Sequence, residues 1–176
     1  MKPWRMEILG IPVDCVNMQE ALQYVDEMVH TGTRGTVLAV NPEKVMTAHD
    51  NPALKACLQA ASLLIPDGDG IVFAARMLGL ASLERVPGAD LMPGICRLAA
   101  DRGYSIFLYG GNPESNRGCA DVLQRRYPGL DIAGRQHGNI GEEHMDTLVN
   151  DINHCGADIL FVALGSPRQE LWMAEH

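Results

Sequence analysis

A chain of 176 residues, 47% of them hydrophobic, carries enough apolar material for one globular domain with a sizeable core. Its net charge of −8 and pI near 5.1 argue against generic nucleic-acid binding, which depends on clustered Lys and Arg. The same balance argues against holding an anionic membrane by charge alone.

Taken in order, Glu7–Asp14 reads as a short strand and turn. Asn17 then stands three residues before Glu20, the spacing of a capping box. Ala21, Leu22, Val25, Met28 and Val29 recur at helical spacing, and Gly32 and Gly35 close that helix. Thr36–Val40 is a continuous β-branched and aliphatic run, as expected of a strand buried on both faces. It ends at Asn41-Pro42, a good N-cap followed by a good first helical residue. Val45, Met46 and His49 are expected on the inner side of that helix, and Asn51-Pro52 starts another carrying Leu54, Cys57 and Leu58.

Leu63–Pro66 is again a buried-strand pattern, and it breaks into Asp67-Gly68-Asp69-Gly70 before a helix from Ile71 to Leu80. Gly68 and Gly70 allow backbone angles and a close ligand approach that a Cβ would forbid. Arg85–Asp90 is irregular and leads into a helix from Leu91 to Arg102. Tyr104–Tyr109 is a strand that runs into the glycine turn Gly110-Gly111-Asn112, which opens a helix through Tyr127. Leu130–Gly134 is a short strand, Arg135–Asn139 a loop holding Gly138, and Glu142–Cys155 a helix. Asp158–Leu164 is the last strand, followed by the loop Gly165–Gln169. The chain stops inside what reads as a starting helix, which suggests that a further segment follows.

Alternation of strands and helices predicts an α/β fold: a Rossmann-like, mostly parallel sheet with helices on both faces, in one domain spanning 1–176. The carboxyl ends of parallel strands are where such sheets bind ligands. Asn41, Asp67, Gly110-Gly111 and Ser166 through Gln169 all fall at such ends. Helix N-termini there can hold anionic groups through free N–H donors. A plain alternative exists for each: Asp67 as a turn or cap residue, Asn41 and Gln169 as caps or loop braces, Arg85 as a solvated surface arginine. Asp67 and Asp69 could also clamp a divalent ion against a diphosphate. Gly110-Gly111-Asn112 lacks the full Gly-x-Gly-x-x-Gly spacing, so a dinucleotide-dependent oxidoreductase is poorly supported.

Cys15, Cys57, Cys96, Cys119 and Cys155 form no Cys-x-x-Cys pair, and reduced, buried thiols are expected. The six histidines lack metal-ligand spacing. No apolar run reaches membrane-spanning length, and the N-terminus lacks a signal peptide, so the cytoplasm is the expected compartment.

Five segments together carry a resemblance. They are Ile8–Asp14, Asn41-Pro42-Glu43, Ile65–Gly70, Glu84–Leu91 and Leu164–Glu170. In this order, over nearly the whole chain, they resemble the bacterial WecG/TagA/CpsF glycosyltransferase family. The resemblance implies a catalytic domain that moves a sugar, often N-acetylmannosamine, from a UDP-sugar to a lipid-linked acceptor. That acceptor is typically undecaprenyl-diphosphate-GlcNAc at the inner face of the cell membrane, and the products feed wall teichoic acid or other surface polysaccharides. Transfer inverts the anomeric centre without a metal cofactor. Asp67 matches the family's general base. Asn41 and Gln169 match polar pocket residues, and Arg85 a pocket arginine facing the acceptor diphosphate. The family varies at the position of Asp69, which speaks against a metal pair. A threonine common two residues before Asn41 is here Ala39. The family also continues into a basic C-terminal segment that docks the membrane, and an apolar surface left by its absence would favour self-association. Leu171 and Trp172 are candidates for that surface. A nucleotide-sugar-binding module without catalysis is the rival reading.

Overall fold

The computed structural model describes residues 3–79 and 83–176. The chain divides into two compact units, Met1–Pro93 with Glu170–Glu175, and Gly94–Gln169 with His176. Parallel strands joined by helices build both, so the α/β class expected from the alternation is what the chain adopts.

The first unit opens with a hairpin rather than one strand. β1 (Arg5–Ile8) pairs antiparallel with β2 (Ile11–Asp14). Leu9 and Gly10 connect them, both at positive φ (51° and 76°), the backbone sense of tight hairpin turns. α1 (Met18–His30) starts at the predicted capping box: Asn17 accepts from the Glu20 amide while Glu20 accepts from the Asn17 amide. β3 (Val37–Val40) and β4 (Leu63–Pro66) then pair in parallel, with α2 (Pro42–Asp50) and α3 (Pro52–Ala60) between them. Asn41 and Asn51 cap these helices, each accepting from the amide three residues on.

The core of this unit is aliphatic. Ile11, Val13, Val40, Leu54, Leu58 and Leu64 are sealed from solvent and form one cluster, with Met173 packed against it. Each such Leu or Ile contributes about 1.5–3 kcal/mol on burial. α2 corrects one expectation: Val45 and Ala48 are buried, whereas Met46 is 59% exposed and His49 also faces out. Residues three apart share a helix face, so Val45 and Ala48 define the inner stripe and Met46 falls off it.

α4 (Asp69–Met77) starts two residues earlier than expected. Leu80, the expected end, lies outside the described residues. α5 (Gly88–Arg102) also starts early, because the Pro87 carbonyl accepts the amides of Asp90 and Leu91 and closes a first turn there. The boundary between the two units falls inside this helix, at Pro93, whose missing N–H removes one helical bond.

In the second unit β5 (Ser105–Gly110) is the middle strand of a parallel sheet in the order β6-β5-β7, with β6 at Asp131–Gln136 and β7 at Ile159–Ala163. Leu108 pairs with Arg135 and Tyr109 with Gln136, so β6 runs two residues past its expected end. The register slips by one residue after Ile106, leaving Ala133 as the extra residue. Gly134 follows it because the Phe107 ring would stand 2.5 Å from any Cβ there. α6 (Pro113–Arg126) begins at Asn112, and a 3₁₀ turn at Glu142–His144 precedes α7 (Met145–His154). α8 (Arg168–Glu175) starts inside the expected Gly165–Gln169 loop.

Candidate functional site

The β3–β4 register decides what stands together in the first unit. Val40 lies opposite Pro66, so Asn41 and Asp67 leave their strands side by side. The Asp67 amide donates to the Val40 carbonyl at 2.8 Å, which fixes that juxtaposition through the backbone. Both residues are half-buried.

Loop Asp67–Gly70 needs its glycines for two different reasons. Gly68 sits at φ 106°, where a side chain is strained, and Gly70 lies against the Pro42 ring, whose Cγ would be 2.5 Å from an added Cβ. The loop therefore rests directly on the turn that carries Asn41.

Asp67 is engaged on both oxygens. Gly88, the first residue of α5, donates its amide to Oδ2 at 3.4 Å, a helix N-terminus facing a carboxylate. Arg85 Nε stands 4.0 Å from Oδ1, and Arg85 Nη1 stands 3.7 Å from Asp69 Oδ1. Arg85 thus spans the two carboxylates that could otherwise clamp a divalent ion. Among the described residues no three His, Cys, Asp or Glu side chains gather as a metal-holding group. Arg85 is 47% exposed and Asp69 92%, so these ion pairs are worth about 0–1 kcal/mol each. A guanidinium held that loosely is available to an incoming anion.

Asn41, Asp67, Gly68, Gly70 and Arg85 are brought together in this way. The other sequence-derived candidates, Gly110, Gly111, Gly138, Ser166 and Gln169, lie in the second unit. There Gly138 donates its amide to the Gly111 carbonyl at 2.8 Å, and Gly111 donates to Ala163 at 3.0 Å. A Cβ on Gly138 would come within 2.8 Å of Leu164 Cδ2, and one on Gly110 would run into the Ala163 carbonyl. Arg168 Nη2 donates to the Gly138 carbonyl at 3.3 Å. Burial pushes the hydroxyl of neighbouring Tyr109 up from its ordinary range, partly offset by the Arg168 charge. Ser166 is exposed, and the Gln169 amide donates to Gly165 at 2.9 Å.

Three contributors escaped the sequence reading. Gly88 supplies an amide to Asp67, and only its place after Pro87 hinted at a turn. Asn116, buried in α6, donates through Nδ2 to the carbonyls of Leu108, Gly110 and Gln136, tying together the ends of β5 and β6. An asparagine four residues into a helix carries no signal of that. Lys44, in the first turn of α2, reaches Glu170 Oε1 at 2.6 Å with both side chains buried. None of the sequence-derived site residues lines the open cavity of about 410 Å³ between β6 and α7, which Phe107, Arg135, Asp151 and His154 border.

A half-buried carboxylate, a loosely held arginine and a polar amide at the carboxyl end of a parallel strand pair have the chemistry to take up a proton beside an anionic group. The family model described as the glycosyl transferase WecG/TagA/CpsF family matches residues 6–176, nearly the whole chain. The chain belongs to this family of glycosyltransferases.

Proposed function

We propose that this glycosyltransferase transfers a sugar, N-acetylmannosamine by preference, from its UDP derivative to GlcNAc carried on a polyprenyl diphosphate. Transfer proceeds with inversion and without a metal. The observation that carries the reading is Asp67, set beside Asn41 by strand register and faced by Arg85 and the α5 N-terminus. In this scheme Asp67 takes the proton of the attacking acceptor hydroxyl as that oxygen bonds to the anomeric carbon and UDP leaves. A base so placed contributes on the order of 10²–10⁴-fold in rate. Arg85 meets the acceptor diphosphate, which competes for it with Asp67 and Asp69. Its position between those two carboxylates supports a metal-free site, since the guanidinium supplies the cation. Gly110, Gly111, Gly138, Ser166 and Gln169 are assigned to the nucleotide sugar, a reading that rests on family membership. The acceptor places the enzyme at the inner face of the cell membrane.

One observation favours a rival. The Gly88 amide on Asp67 is also what a capping carboxylate receives, as in a binding module without catalysis. Release of UDP from a panel of UDP-sugars, with a lipid-diphosphate-GlcNAc acceptor and no added metal, separates the two. Acceptor-dependent release that falls at least 100-fold in Asp67→Asn, with UDP binding retained, is expected on the order of the general-base contribution. Release that survives the substitution removes Asp67 as the base.

A further inference from the structure

Lys44 is an expensive residue where it stands. It occupies the third position of α2, counted from the Asn41 cap, where a positive charge opposes the helix dipole. Its side chain is 7% exposed, and its Nζ lies 2.6 Å from Glu170 Oε1, itself on a side chain sealed from solvent. Burying such a pair gains little over an apolar pair of the same volume, so stability does not explain it.

What it can supply is position. The Lys44 amide donates to Asn41 Oδ1 at 2.8 Å. The cap requires an acceptor facing that amide, so the oxygen of the Asn41 side chain turns toward the helix and its Nδ2–H donors are left outside the cap. Lys44 is therefore fixed at both ends: its backbone sets the Asn41 rotamer, and its side chain is pinned to α8 by Glu170. Asn41 Cβ in turn faces the Gly68 backbone, 3.8 Å from where a Cβ on Gly68 would sit.

We propose that Lys44 and Glu170 are positioning residues for substrate binding, acting through Asn41: the buried pair locks the first turn of α2 so that the Asn41 amide keeps its Nδ2–H donors free for a substrate oxygen beside Asp67. The proposal rests on the function argued above. It adds a pair that touches no substrate itself.

The test is a double-mutant cycle in the UDP-release assay on the full chain. Glu170→Gln is expected to raise KM about tenfold with kcat changed less than about twofold, the pattern of lost binding. In an Asn41→Ala background the same substitution is expected to change KM less than about twofold, because the residue it acts through is gone. An equal cost in both backgrounds overturns the proposal. A second variant guards against mere unfolding. Lys44→Met with Glu170→Leu is expected to be as stable as wild type yet to show the raised KM. Wild-type KM in that variant overturns the proposal as well. Should the wild type release UDP from no donor, the proposed function falls, and the side-chain amide resonances of Asn41 in NMR spectra still decide the positioning claim. They are expected to shift in Glu170→Gln, and unchanged resonances refute it.

Discussion

Asp14 offers the sharpest energetic test of how the first unit is held. It is sealed from solvent at the end of β2, and Arg5 grips it as a fork, Nε to Oδ1 at 2.7 Å and Nη2 to Oδ2 at 2.8 Å. Oδ2 also accepts the Leu64 amide at 2.7 Å, and Arg5 Nη2 reaches the carbonyls of Ala61 and Ser62. One carboxylate thus ties the hairpin to β4. Asp14→Asn replaces one acceptor oxygen by an NH₂ that must face either the guanidinium or the Leu64 amide, donor against donor. It also leaves Arg5, only 21% exposed, without its counter-charge. Removing one member of such a pair costs about 3–5 kcal/mol, against about 1 kcal/mol for an exposed pair. Asp14→Leu with Arg5→Met, which removes both charges, is expected to cost clearly less than Asp14→Asn. Urea unfolding followed by far-UV circular dichroism gives both values, provided the slope with denaturant is unchanged. A loss below about 1 kcal/mol for Asp14→Asn would show that the fork contributes no more than a surface ion pair.

Other expectations follow from single contacts. Gly70→Ala drives a methyl into the Pro42 ring, which cannot swing aside, and is expected to lower stability by about 1–3 kcal/mol in the same urea experiment. Leu9→Asn relieves a leucine at φ 51° that is 75% exposed; a gain of about 0.5–1 kcal/mol is expected, read as a rise in the thermal midpoint. Burial pushes the Cys96 thiol from 9.0 up to about 11, with Cys119 adding to the shift. Between those values the unfolded chain releases this proton and the folded chain keeps it, so stability is full below pH 9 and falls as pH rises toward 11. Cys96→Ala should flatten that alkaline loss, which chemical unfolding at pH 8, 9 and 10 would reveal.

The elements with local chemistry are legible in the sequence itself. The Asn17–Glu20 box, the Asn-Pro starts of α2 and α3, and the apolar runs of β3, β4 and β5 each announce themselves within a few residues. What depends on a distant partner is not. β6 continues past Gly134 because Leu108 and Tyr109 of β5 offer it a ladder, and Arg135-Gln136 by itself holds no sign of that extension. The same division holds for the candidate site. Asn41 and Asp67 were visible as polar residues at the ends of apolar runs. Their side-by-side placement is a matter of register between strands 26 residues apart, shown by Val40 opposite Pro66. Lys44 carries no signal of its role in the sequence, because the residue that explains it lies 126 positions away.

The segment that brings Arg85 to Asp67 is tethered through its main chain. Val86 donates its amide to the Pro66 carbonyl at 2.7 Å, and Gly88 donates to Asp67. No side chain of residue 85 takes part in either tether. The guanidinium is thus cargo on a fixed mount, and swapping it leaves the mount in place. Kinetic differences among lysine, glutamine and alanine at position 85 can then be read as reach and charge alone, an unusually clean scale on which to weigh what a cation does beside this carboxylate.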